Sequence, residues 1–175
     1  QGNKASKTPA TIYVEGALRE IRAGDIVKPV NEGQMLPSFF TMQAVNSQLK
    51  FLAGQFAFFA FPGFNKREQH PFTISSHPYD QNLRITIKGL GDYTNDFNSK
   101  LKIGDQAKVE GPYGHFSSSH IKDADQIWIA GGIGITPFLS LARDVHSSNI
   151  HLFWCIKNTD EAVYTDELKD IAKND

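Results

Sequence analysis

The stretch Gln126–Phe138, QIWIAGGIGITPF, changes the grammar of this chain. Gln126–Ala130 is a short apolar run of strand character, Gly131–Pro137 is a turn, and helical spacing runs from Phe138 to His146. Glycines permit positive φ and let a ligand approach the backbone. Thr136 suits the helix N-cap, and Pro137 suits the first helical position, where its missing N–H is no loss. The pattern predicts a helix start whose unsatisfied N–H groups attract a phosphate. The spacing is not G-x-G-x-x-G, so the turn taken alone is equally a tight strand-to-helix connection with glycines for packing.

Downstream, a second strand is expected over Ile150–Ile156 and a second helix over Glu161–Ala172. This β-turn-α-β-α order opens a parallel doubly wound sheet. Two strands fall short of the roughly four to six usual in such sheets, so the chain is expected to be a fragment of a longer protein.

Upstream, Thr11–Gly111 is built of short runs rich in β-branched and aromatic residues: TIYV, FFTMQAV, GQFAFFAF, RITIKG and AKVEG. Gly and Pro interrupt them at short intervals, and Asp92–Leu101 alone has helical character. This spacing predicts a closed or nearly closed antiparallel barrel. Gly54–Phe61 is apolar at nearly every position and is expected to be buried on both faces. The Ser/His/Asp-rich link Ser117–Asp125 divides the chain into residues 1–118 and 119–175.

Within the first part, REQHPFTISSHP (Arg67–Pro78) concentrates rings and hydroxyls. Pro71 forces His70 into extended conformation and lacks a ladder donor, so this is a strand start or an edge. Phe72, Ile74 and Ser76 are expected on one face and Thr73, Ser75 and His77 on the other. An aromatic ring beside hydroxyls suits a flat, partly polar ligand such as a flavin nucleotide. Polar alternation on an edge strand is also ordinary in antiparallel sheets.

The totals exclude several classes. With 18 Lys+Arg against 19 Asp+Glu there is no basic field to attract nucleic acid. The single cysteine, Cys155, excludes an internal disulfide and a cysteine-built metal site within these residues, and the histidines are too scattered for metal-ligand spacing. No apolar stretch approaches the ~20 residues a membrane helix needs, and the N-terminus lacks a signal-peptide core. The expectation is a soluble, cytoplasmic domain without a metal site.

GQF (Gly54–Phe56), HPFTISS (His70–Ser76), IKGLGDYT (Ile87–Thr94), EGPYG (Glu110–Gly114) and AGGIGITPF (Ala130–Phe138) occur in this order. Together they resemble the ferredoxin–NADP reductase superfamily, most of all the dehydrogenase portion of ferric reductases and NADPH oxidases. The resemblance implies an antiparallel six-stranded flavin-binding barrel followed by the first part of a parallel α/β nicotinamide-nucleotide domain. It implies FAD and NAD(P)H as cofactors, with electrons passing from NAD(P)H through flavin to haem, ferric iron or a similar acceptor. HPFT stands where the superfamily usually has Arg-x-Tyr-(Ser/Thr). By that resemblance Phe72 lies against the isoalloxazine, Thr73 is the catalytic residue hydrogen-bonding near flavin N5, and His70 and Pro71 approach the ribityl or pyrophosphate. Ile87 and Lys88 run beside the ribityl chain, and Gly91 and Thr94 receive the pyrophosphate. Gly132, Gly134, Thr136 and Pro137 surround the nicotinamide dinucleotide. Lys157 is equally suited to a 2′-phosphate and to solvent, so the choice between NADH and NADPH stays open.

Superfamily members continue to a Cys-Gly-Pro-type segment and often to a C-terminal aromatic; the sequence contains neither. The likeness also implies a parent anchored in a membrane upstream of Gln1, with this domain on its cytosolic face. Two other readings remain: a non-catalytic flavin-binding or interaction module, and a soluble flavin reductase.

Overall fold

In the computed structural model, residues 10–15, 38–44, 49–61, 63–64, 68–101, 105–117, 125–144, 150–157 and 159–173 are described. Strands β1 (Ala10–Glu15), β2 (Ser38–Ala44), β3 (Phe56–Ala60), β4 (His70–Thr73), β5 (Leu83–Ile87) and β6 (Gln106–Tyr113) form one sheet in the order β4-β3-β6-β1-β2-β5. Every pairing in it is antiparallel. The expected barrel does not close as a continuous ladder. Edge strands β4 and β5 meet through the isolated bridge Ile74–Ile85 and the bond from Ser75 N to Arg84 O at 2.8 Å. Pro71, which has no N–H to donate, lies on edge strand β4, where a missing ladder bond is tolerated.

Gly54–Phe61 is not buried on both faces. Along β3 the burial alternates: Ala57 and Phe59 are fully buried while Phe56, Phe58 and Ala60 are half-buried. On the second face the Tyr113 ring lies 6.0 Å from Phe56 and 5.6 Å from Phe58. Phe59, Phe61, Ile74, Ile85, Phe97 and Val109 form the core of this half.

The expected helix Asp92–Leu101 is instead two single turns, α1 (Asp92–Asn95) and α2 (Phe97–Lys100). Between them Asp96, at φ −91° and ψ 0°, interrupts the helical ladder. Phe97, 1% exposed, anchors the second turn in the core by packing against Phe61, Phe64 and Phe72.

The second half contains the parallel pair β7 (Gln126–Gly131) and β8 (Ile150–Cys155), with helices α3 (Thr136–Leu141) and α4 (Thr165–Lys173). A 3₁₀ turn, Gly132–Ile135, joins β7 to α3, and another, Thr159–Glu161, precedes α4. Trp128, Ala130, Ile135, Phe138, Leu139, Leu141 and Tyr164 form its core, together with Ala53 from the first half. The opposite face of β7 and β8 is bare: Ile127 and Ile129 are each 70% exposed and Phe153 is 56% exposed. Cys155 lies on that face, exposed and unpaired by disulfide. The proposed link Ser117–Asp125 falls mostly outside the described residues, as do His120 and His146.

Among the described residues no helix is long and apolar enough to cross a membrane, and no cluster of three potential metal ligands occurs.

Candidate functional site

The rings of His70 and Tyr93 stack at 3.6 Å with 25° between their planes, so HPFT and IKGLGDYT are neighbours in space. Burial, reinforced by the Glu68 carboxylate, pushes the Tyr93 phenol up to about 12. His70 Nε2 is buried and has no hydrogen-bond partner among the described residues, and the Glu68 carboxylate is 3.8 Å away. A buried ring nitrogen without a partner is costly, and an added phosphate or hydroxyl would satisfy it. Pro71 is exposed and Thr73 half-buried, and Thr73 lies opposite Phe56 in the ladder. The Phe72 ring is turned toward Phe59, Phe61 and Phe97, at 5.9 to 6.4 Å, and remains half-buried.

Strand alternation does not continue past Ile74, and Ser75 and Ser76 do not divide between two faces. Both are buried, at 0% and 2% exposure. The Ser75 hydroxyl lies between Arg84 O and Thr86 Oγ1, each at 3.2 Å, and Ser76 Oγ accepts from Arg84 N at 3.0 Å. These hydroxyls satisfy the seam between two strand edges, where the ladder leaves backbone groups unpaired.

The Ile87 side chain is 4% exposed within the core, so this residue offers a ligand only its backbone. Thr94 Oγ1 accepts from Leu90 N at 2.9 Å and Gly91 N at 3.3 Å, and Thr94 N donates to Gly91 O at 3.0 Å. The hydroxyl thus shapes the loop from within. A Cβ at Gly91 would meet nothing within 4 Å, which leaves the loop's outer side open.

At the glycine turn the helix begins one residue earlier than expected. Ile135 is its N-cap, and Thr136, 4% exposed, turns its hydroxyl back to donate to Ile133 O at 3.1 Å. The 3₁₀ turn occupies Gly132–Ile135, so Thr136 is already helical and cannot cap. Gly132 has φ +49°, in the left-handed region that favours glycine. Its carbonyl accepts from Trp154 Nε1 at 2.9 Å. Around Gly131 and Gly134 a Cβ would meet nothing within 4 Å, and both are exposed.

The two halves are joined by contacts that no local motif announces. The Ser140 hydroxyl donates to Ser76 O at 2.7 Å, and Thr86 shares a hydrogen bond with the buried Tyr164 phenol. Arg84 grips Glu167, Arg143 reaches Asp80 at 3.1 Å and Glu167 at 3.4 Å, and His77 Nε2 lies 3.4 Å from Asp144. Lys88 Nζ lies 2.7 Å from Glu161 Oε1. That bond holds the Glu161 carboxyl below its usual range against the opposing effect of burial. Lys88 and Glu161 therefore bring the second flavin-type segment to the edge of the glycine turn.

A sequence model described as "FAD-binding domain" matches residues 38–117, and one described as "Oxidoreductase NAD-binding domain" matches residues 128–175. The chain thus pairs a region similar to FAD-binding domains with one similar to oxidoreductase NAD-binding domains. Ferric reduction oxidase 2 of Arabidopsis thaliana is 36% identical over 107 residues, covering 57% of this chain and 15% of that protein. Dual oxidase of Drosophila melanogaster is 26% identical over 193 residues, covering 95% of this chain and 12% of that protein. The chain thus spans less than a fifth of the length of these relatives. Among solved structures, a ferredoxin–NADP+ reductase from Plasmodium falciparum superposes with a TM-score of 0.73 at 24% identity, covering 97% of this chain and 67% of that one. That likeness is one of fold.

Proposed function

We propose that the chain is an NAD(P)H-dependent flavoprotein reductase module, passing electrons through FAD to haem, ferric iron or a similar acceptor within a longer, membrane-anchored parent. The boundary between its FAD and nucleotide domains lies at residues 118/119. The observation that carries this reading is the stack of His70 on Tyr93, which joins the two flavin-type segments at a buried ring nitrogen that has no partner among the described residues.

The residues present fit a flavin dinucleotide. His70 offers its free nitrogen to a phosphate or ribityl oxygen, Pro71 and Thr73 face outward from an edge strand, and the loop at Gly91 is open. FAD, when bound, supplies the redox chemistry: it accepts a hydride and releases electrons one at a time. The chain's own contribution is orientation. Thr73 would hydrogen-bond the reactive edge of the ring system, and Phe72, held by three phenylalanines, would lie against the ring. Gly131 and Gly134 form an open backbone wall for the nicotinamide dinucleotide, with Pro137 half-buried in the helix turn that follows. Ferric reduction oxidase and dual oxidase relatives support an iron or haem acceptor.

Reconstitution with FAD, followed by the bound-flavin spectrum and stopped-flow reduction with NADH and NADPH, tests this. Stoichiometric FAD reduced by either nucleotide is the expected result; a full-length parent that binds no FAD overturns it.

A further inference from the structure

Lys88 and Glu161 form a close pair, 2.7 Å between Nζ and Oε1, with side chains only 16% and 11% exposed. The other carboxylate oxygen, Oε2, lies 4.0 Å from the position a Cβ would take on Gly132, the one turn glycine with positive φ. A carboxylate thus lies at the wall of the proposed dinucleotide site, and the cation it holds comes from the loop that closes the flavin segment. The backbone at Lys157 adds a second hydrogen bond to the same carboxylate. We infer that Glu161 is an affinity-setting residue of the dinucleotide site: its carboxylate occupies Lys88 in the free protein and yields it to a phosphate of the incoming dinucleotide.

The inference rests on reading Gly131–Pro137 as the dinucleotide turn. Two anions then compete for Lys88, while the Lys157 charge acts on Glu161 as well. A diphosphate carries more charge and more acceptor oxygens than a carboxylate, so it gains more from Lys88. The fixed carboxylate opposes its approach until the pair opens. A purely structural bridge between the domains predicts the reverse, since losing it would loosen the turn and weaken binding.

The two accounts part on Glu161→Gln, which keeps the side chain's shape and removes its charge. In the FAD-loaded parent protein, the dissociation constants of NADH and NADPH should fall threefold to tenfold in the variant, while that of uncharged adenosine stays the same. Adding Lys88→Met to Glu161→Gln should abolish the gain. Unchanged or weaker dinucleotide binding in a folded Glu161→Gln protein overturns the inference and leaves the proposed function standing. If neither wild type nor variant binds a dinucleotide, the dinucleotide reading itself fails and this inference with it. A crystal structure of the wild-type protein with the dinucleotide gives an independent answer should the variant not fold. Lys88 Nζ displaced from Glu161 onto a phosphate is expected, and an intact Lys88–Glu161 pair beside the bound phosphates overturns the inference.

Discussion

The Arg84 guanidinium meets the Glu167 carboxylate in two hydrogen bonds, 2.9 and 2.7 Å, across the seam between β5 and α4. The planar fork of arginine matches a carboxylate in this geometry. Burial, the largest single effect, would lower the guanidinium, but Glu167 together with Tyr164 and Asp80 holds Arg84 above its ordinary value. Glu167→Gln is expected to cost about 1–3 kcal/mol, since it strands a partly buried charge. A double-mutant cycle with Arg84→Met in denaturant unfolding measures the coupling, and additive effects of the two changes would contradict it.

Gly54 lies at φ +90°, and a Cβ there would come 2.4 Å from Phe116 O. That atom belongs to the backbone and cannot rotate aside. Gly54→Ala therefore combines left-handed strain with a displaced 114–117 segment, and should cost at least about 2 kcal/mol. For a chain of this size the melting temperature should drop by roughly 4–8 °C.

Burial pushes both Tyr93 and Tyr164 up to about 12, with Glu68 adding to the shift at Tyr93 and the Arg84 charge opposing it at Tyr164. An unfolded tyrosine releases its proton near 10, so between pH 10 and 12 the native protein holds protons that the unfolded chain has lost. Stability from these groups is complete below pH 10 and declines as pH rises toward 12. Tyr164 alone contributes a slope of up to about 1.4 kcal/mol per pH unit. Phenolate absorbance followed alongside far-UV circular dichroism should show two tyrosines ionising only as the fold is lost.

Thr73→Val keeps the shape of the β4 side chain and deletes its hydroxyl. If Thr73 bonds the reactive edge of the flavin, the rate of flavin reduction should fall tenfold to a hundredfold, equivalent to about 1.5–3 kcal/mol for a bond to a developing charge. FAD affinity should change little. Stopped-flow rates and FAD titration separate the two effects, and an unchanged rate removes Thr73 from the catalytic role.

The Trp154 indole N–H donates to Gly132 O at 2.9 Å. Trp154→Phe keeps most of the apolar packing but leaves that carbonyl unpaired, at a cost of about 1–3 kcal/mol. Dinucleotide binding should weaken with it, because the carbonyl fixes the orientation of the turn. Titration of the nucleotide against the variant checks this.

Features governed by neighbouring residues were legible in the sequence. The short strands of the first half, the Pro71 edge and the β-turn-α-β-α order depend on side-chain period and turn chemistry, and the structure contains them. The helix start was misplaced because Thr136 has the chemistry of a cap, yet the 3₁₀ turn before it had already set the helical register. By alternation Ser75 and Ser76 fall on opposite faces, whereas the seam between β4 and β5 takes up both hydroxyls. Arg84 and Glu167 are 83 residues apart and Lys88 and Glu161 are 73 apart. No local pattern marks such pairs, because each residue taken singly is an ordinary charge on an amphipathic element.

Strand β5 has a practical bearing on how the protein is divided. Its Leu83, Ile85 and Ile87 belong to the first core, while Thr86 and Arg84 are covered from the other side by Tyr164 and Glu167. A shortened gene ending at residue 118 would preserve the FAD-domain match and yet strip one side of that strand. Arg84 and Lys88 would then be left as cations without their carboxylates, and Ser76 O without its donor. The seam between sequence families is therefore a poor place to cut. An excised flavin half would need replacement side chains on β5 before it stood alone.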